Sequence, residues 1–155
     1  MVDGTALVRD YLREVFSEGR LDRKDDYLRG AKFIDGVVEL VELWRTAFSD
    51  FHEEVEAAYQ AGDRVITESV MRGTHDGVLT SRVGPIAPTG RRVEWTRIAV
   101  RRLDGDRFVD GYFEQDEVGL LQQLGVLPTP ESADRGRHSL LAQVEDRHER
   151  RRSAR

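Results

Sequence analysis

The apolar positions change rhythm once along the chain, near residue 50. Before that point they recur at helical spacing. Leu7, Val8, Tyr11, Leu12, Val15 and Phe16 form one stripe, with Asp3 or Thr5 as candidate cap and Gly19 as candidate stop. "LDRKDDYLRGAKF" predicts a second, short helix. "GVVELVELWRTAF" predicts a third, carrying Val37, Val38, Leu40, Val41, Leu43, Trp44 and Phe48. After residue 50 the period falls to two. "FHEEVEAAYQ" and "RVITESVMRGTH" read as strands joined at "AGD", a compact hairpin turn. "GPIAPTG" reads as a loop. "RRVEWTRIAVRRL" and "RFVDGYFEQ" read as two more strands around "DGD". A short helix over 117–124 follows, and "SLLAQVEDRHERR" offers a sparse last helix.

Helices first and an antiparallel meander second define an α+β fold. The expected architecture is three N-terminal helices over the concave face of a curved sheet of about four to six strands, enclosing an apolar cavity. The chain of 155 residues suits one domain, expected over 1–128, with a charged C-terminal tail over 129–155. That tail has a net charge of +2 and ends in "RHERRRSAR", which leaves −7 on residues 1–128. The overall charge of −5 argues against nucleic acid as a partner. Hydrophobic residues at 39% and charged residues at 34% are a soluble balance, and no apolar run approaches a membrane span. No basic leader precedes an apolar core, and there is no cysteine, so a cytoplasmic location without disulfides is expected. His52, His75, His138 and His148 are scattered, and no metal-ligand spacing is found.

The chemistry concentrates around "VDGYFEQDEVGLLQQLG". Simple alternation over 108–115 puts Phe108, Asp110, Tyr112 and Glu114 on one face, and Asp116 continues that parity. A carboxylate walled by aromatics has a raised pKa and can carry protons near neutrality. Asp116 is also well placed as the N-cap of the following helix. On the preceding strand Val93, Trp95, Arg97, Ala99 and Arg101 share a face. Two arginines beside a tryptophan suit a carboxylate or an enolate, and so does an outer face of solvated side chains. An inward Arg101 would pair with Asp116 or Glu114 and hold that acid ionised. His75 is a candidate proton relay or a structural histidine. Trp44 is a core residue or the roof of the cavity.

Four pieces in order resemble the SnoaL-like polyketide cyclase family of the nuclear-transport-factor-2-like superfamily: "AFSDFHEEVE", "AGDRVITESVMRGTHDG", "GPIAPTGRRVEWTRIAVRRLDGDRFVDGYFEQD" and "VGLLQQLG". They span residues 47–127, about half of the chain. The resemblance implies a cone-shaped roll around a cavity and a small cyclase without cofactor, acting on a hydrophobic small molecule. It also implies a homodimer or homotetramer formed through the outer face of the sheet. It assigns acid–base work to Asp116, and the family has a histidine at the position of His75, a further candidate proton carrier; Glu114 is a second candidate from its place on the strand. Trp95, Tyr112, Arg97, Arg101, Trp44 and Tyr11 are the candidate substrate-binding residues. Several positions depart from the family pattern. Ala99 stands for a frequent Asp, Arg101 for an aromatic residue, Leu12 for a frequent Tyr and Tyr112 for a frequent Trp.

The expected activity is therefore aldol-type ring closure in polyketide or related secondary metabolism. Three alternatives share the frame: a shape-driven, pericyclic closure, an epoxide hydrolase built on Asp110, Arg101 and Asp116, and a non-catalytic ligand carrier. Fold alone does not choose among them.

Overall fold

The computed structural model describes residues 2–129. The tail from Pro130 onward, with the sparse helix read there, lies outside the described residues. Helix α1 (Gly4–Tyr11) starts on Asp3, whose carboxylate accepts from Thr5 N at 3.0 Å and Ala6 N at 3.1 Å. A cap of this kind contributes about 1 kcal/mol. The helix continues as one wider, π-helical turn over Leu12–Ser17. Helix α2 (Lys24–Tyr27) is a single turn.

Helix α3 runs over Ala31–Ala47, 17 residues. It starts five residues earlier than the sequence reading placed it, because the chain breaks at Gly30, with φ of 94°, and not at Gly36. Gly36 lies inside the helix. Its buried side carries Val37, Val41, Trp44 and Ala47 onto the sheet.

The sheet has strands β1 (His52–Ala61), β2 (Arg64–Thr74), β5 (Arg92–Asp104) and β6 (Arg107–Gln115) in the order β1-β2-β5-β6. All its neighbours are antiparallel. Between β2 and β5, Leu79–Ser81 (β3) and Gly84–Ile86 (β4) form a separate small hairpin, so the first part of "GPIAPTG" is strand and not loop. The turns at 61–63 and 104–106 are as expected, with Gly62 and Gly105 at positive φ. Helix α4 (Glu117–Gln123) closes the described chain and buries Leu120 and Leu121.

On β5 alternation is strict: Val93, Trp95, Arg97, Ala99, Arg101 and Leu103 are all buried. On β6 it is not. Arg102 pairs with Asp110 but Leu103 pairs with Phe108, so Val109 is an extra residue, a β-bulge. Phe108 is fully buried, and beyond the bulge the parity flips. Gly111 and Phe113 then face the helices, and Asp110 and Glu114 face away.

Candidate active site

A cleft of about 200 Å³ opens between α3 and the β5–β6 half of the sheet. Phe33, Gly36, Val37 and Leu40 form its wall on α3, with Tyr11 and Phe16 closing its inner end. The wider turn after α1 lets residues five apart face the same way, which brings the rings of Tyr11 and Phe16 to 5.6 Å, edge to face. Arg97, Ala99 and Arg101 are the floor, and Gly111 to Phe113 and Lys32 are the rim. Beyond Leu40 and Phe113 lies a second hollow of about 190 Å³, lined by Trp44, the β3 hairpin, Gln115 and α4.

Gly36 shapes the first cleft. A glycine inside a helix costs about 0.5–1 kcal/mol against alanine, and a Cβ here would meet nothing within 4 Å. Packing does not require it, while the open wall does. Gly36→Ala is expected to raise stability by about 0.5–1 kcal/mol in denaturant melts. Gly36→Phe is expected to keep the fold and block the cleft, read as lost protection by any ligand that occupies it.

The floor is cationic. Arg97 is 2% exposed and pairs with the fully buried carboxylate of Glu53, Nη1 to Oε2, at 3.1 Å. Its Nη2 reaches Gln115 Oε1 at 3.4 Å, and the Phe113 ring lies 4.4 Å from its guanidinium carbon. Burial lowers the Arg97 pKa while Glu53 opposes the shift. Arginine remains charged through such shifts. Arg101 donates from Nη1 to Thr67 Oγ1 at 2.9 Å and lies 5.7 Å from the centre of the Tyr11 ring. Burial pushes the Tyr11 phenol well above the usual range, against a smaller opposite pull from Arg101. Tyr11 is therefore a neutral donor. Arg97 Nε, Glu53 Oε1, Ser69 Oγ and the indole nitrogens of Trp44 and Trp95 are buried without a partner.

The structure brings Tyr11, Arg97 and Arg101 together at the first cleft, but not the acids. Asp116 does not point into the cavity. Its carboxylate is exposed and accepts from Gly119 N at 2.9 Å, as the N-cap of α4. Gly119 permits this approach, since a Cβ there would overlap the Asp116 carboxylate. The physical reason is the Val109 bulge, which inverts the face on which the following residues fall. The same inversion turns Glu114 outward, opposite Ile98, and exposes 65% of Tyr112 at the rim. Arg101 faces inward but has Thr67 as its partner, not Asp116 or Glu114. The trio Asp110, Arg101 and Asp116 is likewise not assembled. Asp110 accepts from the backbone of Gly111 on the exposed face.

His75 is fully buried outside both hollows. Its Nδ1 accepts from Thr89 N at 3.2 Å, which pins the loop after β4, and burial lowers its pKa. That geometry is structural. Trp95 is core, packed at 5.2 Å on Trp44 and 5.3 Å on Phe48, and only Trp44 reaches the second hollow. Among the described residues no group of His, Cys, Asp and Glu could hold a metal ion. None of the described helices is long and apolar enough to cross a membrane.

Sequence reasoning missed Glu53, Phe113 and Gly36. For Glu53 a signal existed: it alternates with Phe51 and Val55, so it stands on the apolar face of its strand.

This roofed sheet and cleft define the architecture of a known class. The chain belongs to the SnoaL-like polyketide cyclase family, whose model matches residues 6–124. Solved structures agree in fold. TsrD from Streptomyces laurentii is 21% identical with a TM-score of 0.68, over 82% of this chain and 99% of that one. A SnoaL-like polyketide cyclase from Agrobacterium tumefaciens is 16% identical with a TM-score of 0.67, over 81% and 100%. IdmH from Streptomyces antibioticus, described as a candidate polyketide cyclase, is 26% identical with a TM-score of 0.62, over 81% and 100%. No curated protein matches the chain.

Proposed function

We propose that the protein is a cytoplasmic cyclase of polyketide or related secondary metabolism, closing a ring in the cleft between α3 and β6. The observation that carries this reading is the composition of the cleft: aromatic and aliphatic walls over a floor of Arg97, Arg101 and Tyr11. Ring closure of a 1,3-dicarbonyl chain passes through an enolate, and donors fixed at the developing oxyanion stabilise it most where water is scarce. Arg97, held by Glu53, and the un-ionised Tyr11 hydroxyl are such donors. A carbon flanked by two carbonyls is acidic enough to lose its proton to water once its enolate is stabilised; that carbon then bonds to a second carbonyl, whose C=O π bond breaks, and the new alkoxide takes the proton back from water. The walls supply the other part, by restricting the chain to conformers that bring its ends together.

Enolate closure on the arginine floor is favoured over acid–base catalysis by carboxylates for one reason: no acidic side chain lines this cleft. The experiment is incubation with linear and partly cyclised polyketide intermediates, following ring formation against the rate without enzyme. The reading expects acceleration by the wild type that Gly36→Phe removes. A rate unaffected by the protein, with ligands bound unchanged, would instead make it a carrier.

The outer face of the sheet supports a homo-oligomer. Tyr59, Ile66, Val100 and Tyr112 form one cross-strand row through all four strands, beside Ile98. Tyr59 and Ile98 are each 54% exposed. Such a contiguous apolar row marks an interaction surface. The expected species in sedimentation is a dimer or tetramer, and Ile98→Arg is expected to give a folded monomer.

A further inference from the structure

The cleft has more positive charge than its own residues neutralise. Arg97 is matched by Glu53. Arg101, 7% exposed, has neutral side-chain hydrogen-bond partners, the hydroxyls of Thr67 and Tyr11. Lys32 stands at the rim, and no acidic side chain lines the cleft. Removing a guanidinium from water costs several kcal/mol unless a counter-charge meets it. An arginine cannot escape that cost by losing its proton. A buried, unmatched arginine in an open apolar cleft is therefore poised for an anion that comes from outside.

Resting on the reading of this cleft as the substrate site, we propose that the substrate carries a carboxylate, bound by Arg101 at the inner end of the cleft. The protein is thus selective for free acids over their esters. The planar guanidinium matches a planar carboxylate through parallel N–H donors, a geometry that an ammonium lacks. Thr67 occupies one Nη of Arg101 and fixes the plane of the fork. Tyr11, beneath the same guanidinium, stays protonated beside a bound anion and does not repel it. Ala99 leaves room on the floor between Arg97 and Arg101, where a larger side chain would separate the two donors. Lys32 at the entrance attracts an acid and offers nothing to an ester. The apolar remainder of the substrate lies against Phe33, Val37 and Phe113. This assigns distinct work to the two arginines. Arg101 anchors a charge that is present throughout, and Arg97 meets the charge that develops at the reacting carbonyl.

The test needs no natural substrate. Binding of 2-naphthoate and of methyl 2-naphthoate to the wild-type protein is measured by calorimetry at low ionic strength. The expected result is about 10- to 100-fold tighter binding of the acid, as a charged hydrogen-bonded pair gives, weakening as salt is added. Arg101→Gln is expected to bring binding of the acid down to that of the ester. Arg101→Lys is expected to restore only part of the preference. Gly36→Phe reports whether the probe sits in this cleft, because it is expected to abolish binding of both. Equal binding of acid and ester, or no binding of the acid at millimolar concentration, overturns the proposal. So does an acid preference that survives in a folded Arg101→Gln. Ring closure with equal turnover of acid and ester substrates would overturn it while leaving the cyclase reading intact. The opposite pattern, acid preference without ring closure, would keep the carboxylate site and remove the cyclase.

Discussion

Glu53→Gln is expected to lower stability by about 3–5 kcal/mol, the cost of breaking one side of a buried ion pair. For a chain of this size that corresponds to a fall in melting temperature of roughly 10 °C. The argument rests on where the pair lies. Neither side chain is more than 1% exposed, so water does not screen the charge left on Arg97. Gln115 is a distant neutral partner at 3.4 Å, and Arg97 Nε has none. Glutamine keeps the shape of Glu53 and removes only its charge, which separates electrostatics from packing. Replacing both partners by apolar residues, Glu53→Leu with Arg97→Met, is expected to recover most of the loss, since the desolvation of both ions is then relieved. The check is a double-mutant cycle in urea with Glu53→Leu and Arg97→Met as its two single corners. A Glu53→Gln protein that melts within 2 °C of the wild type would mean that the interior around this pair is wet. In that case the positioning role given to Glu53 would be lost.

The fold was legible in the sequence because its signals are local and repeated. The change of period near residue 50, the turns at Gly62 and Gly105 and the strict alternation of β5 each survive in the structure. The donors of the floor were legible for the same reason, as Arg97 and Arg101 are on the buried face of a strand without irregularity. The acids were misplaced by one residue, Val109. A bulge leaves no mark on an alternation pattern, yet it reverses every face beyond it. Gly111 was the available clue, since a glycine inside a strand often marks a bulge or a close approach. Here a Cβ would come within 3.0 Å of Val100 O. Helix α3 was read short for a related reason. Gly36 resembles a start signal, and nothing local distinguishes a glycine that begins a helix from one that opens a cleft in its side. Long-range pairing was the least legible. That Glu53 on β1 meets Arg97 on β5, across β2, depends on the register of three strands.

The same double variant gives the largest expected effect on catalysis. Glu53→Leu with Arg97→Met is expected to fold but to close rings about 10²–10³-fold more slowly, the usual loss when one fixed oxyanion donor is removed. The fall should lie in kcat, because the charge that Arg97 meets is absent from the bound substrate and develops only during reaction. Arg101→Gln should do the reverse, raising KM about 10- to 100-fold with kcat nearly kept, because an anchor binds ground state and transition state alike. Asp116→Asn provides the contrast. Asparagine caps a helix as well as aspartate does, and the Asp116 side chain is exposed with Gly119 as its partner, so turnover within a few-fold of wild type is expected. A proton-transfer role for Asp116 would instead cost about 10²–10⁴-fold. The two mechanisms also part in their dependence on pH. Closure on the arginine floor takes no proton onto Asp116, so Asp116→Asn should leave the dependence of kcat on pH as it is in the wild type. If kcat falls along a single ionisation near pH 4–5, and Asp116→Asn removes both that limb and the activity, the oxyanion floor is not what closes the ring.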